Sequence, residues 1–110
     1  MLTNELVGAA LDWAVAKCEG IDDKFWDDDR LCFLNEWDED IEPSINWAQG
    51  GKIIERERIS IEWTGEDWMS YIKHDEEFFG ATPLVAAMRC YVASKLGDEV
   101  QLPEGLQNAN

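Results

Sequence analysis

The sequence predicts an α+β domain in which an N-terminal and a C-terminal helix pack on a small antiparallel β-sheet. Three patterns lead to that class. Val7, Ala10, Leu11, Ala14 and Cys18 recur at three- and four-residue intervals, the period of one helical face. Ile59 to Trp63 and Trp68 to Ile72 alternate about the turn residues Thr64-Gly65-Glu66-Asp67, as the arms of a hairpin do. Leu84, Ala87, Met88, Tyr91 and Val92 form a second helical stripe, bounded by Thr82-Pro83 and Gly97.

Taken in order, the first helix is expected over about Asn4 to Glu19, with Thr3 or Asn4 as its cap. Gly20 stands where a left-handed residue would end it. Ile21 to Pro43 changes character: Asp27-Asp28-Asp29 and Asp38-Glu39-Asp40 bracket the apolar Leu31-Cys32-Phe33-Leu34, which reads as a short buried strand between solvated loops. Pro43 marks a turn, and Gly50-Gly51 is expected as a tight turn before a short helix at Lys52 to Glu57. The hairpin follows, then a loop at Asp75-Glu76-Glu77. In the last helix Thr82 is the N-cap, Pro83 occupies the first helical position, and Lys95 opposes the dipole before Gly97. Residues 1–100 are expected as one domain, and 101–110 as a frayed tail.

Composition narrows the function classes. Nine Lys/Arg against 24 Asp/Glu give a formal charge of −15, which repels phosphate backbones and anionic lipid, so neither direct nucleic-acid binding nor membrane-surface binding is expected. Six tryptophans in 110 residues supply large apolar area to a small core. Cys18, Cys32 and Cys90 are odd in number and widely spaced, which suggests neither a disulfide framework nor a zinc site. With no signal peptide or membrane span in the pattern, a reducing cytoplasm is the expected compartment.

Asn46-Trp47-Ala48-Gln49-Gly50-Gly51-Lys52-Ile53-Ile54-Glu55-Arg56-Glu57 and Ala81-Thr82-Pro83-Leu84-Val85-Ala86-Ala87-Met88-Arg89-Cys90-Tyr91-Val92 resemble the NinX-like family of small bacteriophage and prophage proteins. Leu6 to Gly20 and Ser94 to Val100 extend the resemblance along nearly the whole chain, while the acidic stretch from Asp27 to Glu42 looks particular to this member. The resemblance implies a phage-encoded accessory protein in the cytoplasm of a bacterial host. It carries no catalytic residues onto this chain.

Two readings of function are drawn from the residues. In the first, Gly50-Gly51 opens a helix whose free N–H groups hold an anion, Trp47 stacks, Gln49 offers an amide, and Arg56, Arg58 and Arg89 supply charge. That set suits a nucleotide-like ligand, and a phage protein with it would sequester a host signalling molecule and so antagonise host defence. The bland alternative pairs the arginines, Arg89 included, with acidic neighbours. In the second reading, Trp26, Asp27, Asp28, Asp29, Trp37, Asp38, Glu39 and Asp40 form an acidic, aromatic surface that occupies a basic, nucleic-acid-binding site on a host protein. Neither acidic run has the spacing of a calcium loop, and His74 beside Asp75 is the only histidine, so no metal, cofactor or catalytic pair is expected. The alanine-rich helices would also suit a homo-oligomer.

Overall fold

The computed structural model describes residues 1–107. Thr3–Glu5 form a single 3₁₀ turn, Leu6 and Val7 are extended, and helix α1 spans Gly8–Cys18. The cap expected at Thr3 or Asn4 does not form, because Thr3 is used elsewhere. Its hydroxyl donates to the Gly97 carbonyl at 2.6 Å, and its N–H donates to Asp98. Met1 and Val100 exchange a pair of backbone hydrogen bonds beside it, so the start of the chain is clasped to the segment after the last helix. Gly20, at φ +74°, follows α1 in the left-handed conformation expected.

Asp22 caps a 3₁₀ turn at Asp23–Phe25. β1 (Trp26–Asp27) then pairs antiparallel with β2 (Cys32–Phe33), Trp26 lying opposite Phe33 with ring centroids 5.1 Å apart. The strand read at Leu31 to Leu34 is therefore present but short, and its partner strand was not anticipated.

The Gly50-Gly51 turn is not there. Both glycines lie inside helix α2 (Trp47–Glu57), which Asn46 caps by accepting from the Gln49 N–H at 3.2 Å. Neither glycine has a positive φ. Gly50 answers a packing demand: a β-carbon there would sit 2.5 Å from the Pro43 carbonyl oxygen and 2.6 Å from Leu84 Cδ2. The helix begins at Trp47 because it has a good cap and because the missing side chain lets it lie against Pro43.

β3 (Ser60–Trp63) and β4 (Trp68–Tyr71) form the expected hairpin, its turn tied by the Thr64 hydroxyl donating to Asp67 Oδ1 at 2.7 Å. β5 (Phe78–Gly80) adds a third antiparallel strand in the order β3-β4-β5. Helix α3 (Pro83–Leu96) starts at Thr82, whose side chain accepts from the Val85 N–H, and stops at Gly97, φ +85°. It packs on all three strands of the larger sheet and against α1 and α2. Leu84, Ala87, Met88, Tyr91 and Val92 are all buried, as their spacing predicts.

The frayed tail needs correction as far as residue 107. Leu102 is 5% exposed and Leu106 is fully buried, the latter on a short helix α4 (Glu104–Gln107), and both join Leu6, Leu11 and Val15 in the core. Apolar burial outweighs the ordering cost of this segment. Residues 108–110 of that expected tail lie outside the described residues.

The two adjacent glycines should respond oppositely to alanine. Gly50→Ala forces a backbone clash and should lower stability by about 1–3 kcal/mol. Gly51→Ala meets nothing nearer than Trp47 Cε3 at 3.9 Å, and should raise stability by up to about 1 kcal/mol through helix propensity. Urea unfolding monitored by circular dichroism separates the two.

Candidate functional site

The Gly50-Gly51 turn and its flanks were expected to carry a ligand; those residues lie on α2, and most of their polar groups are engaged by the protein itself. The Gln49 amide accepts from the Glu42 N–H at 2.7 Å and donates to the Asp40 carbonyl at 3.0 Å, fastening the acidic stretch to the helix. Gly50 is buried. Arg56 forms a two-pronged ion pair with Glu19, at 3.0 and 2.7 Å, and also donates to Glu57 and to the Tyr91 hydroxyl. Tyr91 donates in turn to Glu19. The Arg56 guanidinium holds the Glu19 carboxyl below its usual range, and burial together with Glu19 pushes the Tyr91 phenol up. This cluster joins the ends of α1 and α2 to α3.

Trp47 is 56% exposed, and Arg58 is exposed in the left-handed conformation that ends α2. They stand at opposite ends of the helix, about 16 Å apart along its axis at 1.5 Å per residue, so they do not form one site. Arg89 was expected to anchor a ligand or pair with an acid, and among the described residues it has no acidic partner. Its Nε donates to the Leu6 carbonyl at 2.8 Å and its Nη1 to the Phe79 carbonyl at 2.6 Å. A guanidinium with several fixed donors can tie two carbonyls from separate segments in this way.

The acidic stretch is arranged differently, with its backbone ordered and many of its side chains open. Asn35 builds a tight loop: its Oδ1 accepts from the N–H groups of Trp37 at 2.8 Å and Glu39 at 2.9 Å. The Asn35 N–H donates to the Glu39 carbonyl, the Asp38 N–H donates back to Asn35, and Leu34 bridges Asp40. Asp38 takes φ +61°, a conformation aspartate tolerates better than most residues. At the tip Trp37 is 71% exposed, flanked by exposed Glu36, Asp38 and Glu39. Beside the loop lies an open cleft of about 480 Å³ whose walls include Ile21, Phe25, Leu34 and Ile41.

Other acids named from sequence have structural duties. Asp27 accepts from the N–H groups of Asp29 and Arg30, Asp28 accepts from the Trp26 indole at 2.7 Å, and Asp40 pairs with Arg30. Trp26, expected on the surface, is half-buried against Phe33. Asp29 stays exposed. Cys18 and Cys90 are pushed up to about 11 by burial, and burial also raises Cys32. His74 stacks on Tyr71 with ring centroids 4.8 Å apart. Among the described residues no three His, Cys, Asp or Glu side chains group as a metal site, and no helix is long and apolar enough to cross a membrane.

Asp12 is a residue that the pattern of candidate sites missed. It sits on α1 and accepts from the Ser44 N–H at 2.8 Å, with no ion-pair partner among the described residues. Burial lifts its carboxyl to about 6, against the pull of Ser44 and helped by the charge of Glu42. Its one sequence signal is a carboxylate interrupting the apolar run from Gly8 to Ala16.

A raised carboxyl favours the protonated native state, so stability should fall as pH rises from 3.8 to about 6, the two ends of the Asp12 shift. Asp12→Asn keeps an acceptor for Ser44 and removes the charge. It should stabilise the protein by about 1–3 kcal/mol at neutral pH, with the advantage disappearing in acid. Thermal unfolding of both proteins across that pH range checks the sign.

Comparison with known proteins places this arrangement. A family model described as Bacteriophage P22, NinX matches residues 3–95, from the N-terminal clasp through nearly all of α3. No curated protein matches the chain. Since the match spans most of the sequence and every element from α1 to α3, the chain belongs to the bacteriophage P22 NinX family.

Proposed function

We propose that this phage protein is a non-enzymatic antagonist that docks its acidic face onto a basic surface of a host protein, occupying a site the host uses to hold nucleic acid. The observation that carries the reading is Trp37, 71% exposed at the tip of a loop pinned by Asn35. An aromatic anchor held ready on an ordered backbone binds with little entropy loss.

Charge supports the same surface. Residues 22–42 hold ten Asp/Glu against two Lys/Arg, so about half of the net −15 lies in one-fifth of the chain. Such a concentration accelerates encounter with a basic patch and disfavours acidic competitors. The apolar cleft beside the loop offers room for a side chain next to the Trp37 contact. A nucleotide-like ligand on α2 has less behind it, because Gln49 and Arg56 already bond within the protein and Trp47 lies far from Arg58. The buried Cys90 and half-buried Cys18 thiols, both pushed up by desolvation, and a histidine stacked on a tyrosine support binding over turnover.

Immobilised protein should capture a host partner at low salt and release it at high salt. Trp37→Ala should weaken that capture by at least about 2 kcal/mol, and Asn35→Ala should weaken it less, with the fold of both variants intact by circular dichroism. Absence of any salt-sensitive partner, or capture indifferent to both substitutions, contradicts the reading.

A further inference from the structure

A second pocket, of about 270 Å³, opens between the start of α1 and the end of the acidic stretch. Asp12, Glu42 and Ser44 contribute to its walls, with Arg30 and Asp40 beside them and exposed Ile45 at its margin. Three carboxylates therefore share this space with one guanidinium, and that guanidinium is already engaged by Asp40.

Among the described residues, two groups here are left incompletely satisfied. Asp12 has one hydrogen bond, from the Ser44 N–H, and no counter-ion. Ser44 is 2% exposed, yet its hydroxyl makes no well-formed hydrogen bond, although it lies near enough to Asp12 to favour the charged carboxylate. A buried hydroxyl without a partner is costly, and a group that donates to it or accepts from it would satisfy it.

We propose that this pocket receives the ammonium or guanidinium of one Lys or Arg side chain of the protein partner, with Asp12 and Glu42 as counter-charges and the Ser44 hydroxyl as an acceptor. The inference rests on the docking reading above and gives it a specific anchor. The pocket is continuous with the acidic face, since Asp40 and Glu42 belong to both. The first turn of α1 has no side-chain cap, and Gly8 and Ala9 line the pocket wall. The positive end of the helix works against a bare cation, and the excess of carboxylates outweighs it.

Ser44 and Glu42 bear on the titration of Asp12, and Arg30, Asp40 and the Cys32 thiol line the same pocket. Carboxyl-detected NMR of the full chain, titrated with N-acetyl-arginine amide, tests the proposal directly. The neutral isostere N-acetyl-citrulline amide serves as control, and putrescine tests a free polyamine. The arginine amide should lower the Asp12 midpoint from about 6 by about one pH unit or more, and should move the Ser44 and Glu42 resonances. Citrulline amide should do neither. Asp12→Asn should weaken arginine-amide binding at least about tenfold, as should Glu42→Gln to a smaller degree. An unmoved Asp12 midpoint, an equal response to citrulline amide, or tighter binding of putrescine overturns the proposal. The two readings fail separately. Arginine amide that binds through Asp12 without any captured partner removes only the docking reading. Trp37-dependent capture with an Asp12 carboxyl indifferent to arginine amide removes only the pocket.

Discussion

The rest of the structure depends on how closely α3 approaches its neighbours. A β-carbon at Gly80 would lie 2.6 Å from the Ala86 nitrogen, so the last strand and the helix meet backbone to backbone. Ser70, buried in the middle strand, donates to the Ala86 carbonyl at 2.6 Å and uses a polar group where no larger side chain would fit. On another side Leu84 presses on Gly50, bringing α2 in as tightly. Small residues at these contacts let α3 approach its neighbours at backbone distance, the close fit on which dense packing depends. Once α3 is seated, Arg89 reaches the carbonyls of Leu6 and Phe79, and Tyr91 reaches Glu19 and Arg56. These bonds reinforce the packing of α3 on β5, α1, α2 and the start of the chain.

That arrangement separates charges that build the fold from charges that remain available. Two of the arginines read from sequence as ligand groups, Arg56 and Arg89, spend their donors on internal acceptors. The acids between residues 22 and 42 divide similarly: Asp27 and Asp40 shape turns and pairs, whereas Asp38 and Glu39 are exposed beside Trp37 and Asp29 is exposed in the turn between β1 and β2. An acidic surface is costly to hold together when its charges crowd. Here the backbone bonds of Asn35, and the Gln49 amide reaching from α2, hold the acidic loop in place against that repulsion.

Much of the fold was legible because its signals are local. Thr82, Pro83 and Gly97 mark α3 to the residue, and the alternation about Thr64-Gly65-Glu66-Asp67 marks the β3–β4 hairpin. The errors have non-local causes. Gly50-Gly51 reads as a turn when only the chain is considered, since the demand for a missing β-carbon comes from Pro43 and Leu84. The late start of α1 reflects a hydroxyl bond from Thr3 to Gly97, 94 residues away. β5 is three residues long and too short to show a period. Leu102 and Leu106 carried a four-residue spacing, masked by the Pro and Gly around them. The exposure of Trp37 followed from its acidic neighbours, whereas the partnerless Ser44 hydroxyl beside Asp12 could come only from coordinates.

The central claim is that the acidic loop is an ordered docking element before any partner arrives. Amide hydrogen exchange at Trp37 and Glu39, read by NMR on the free protein, tests it most directly. The Asn35 bonds predict exchange at least about tenfold slower than at His74 and Asp75 in the exposed loop before β5, while the Trp37 indole stays open to solvent quenchers. Exchange at Trp37 and Glu39 as fast as in that loop would contradict the account.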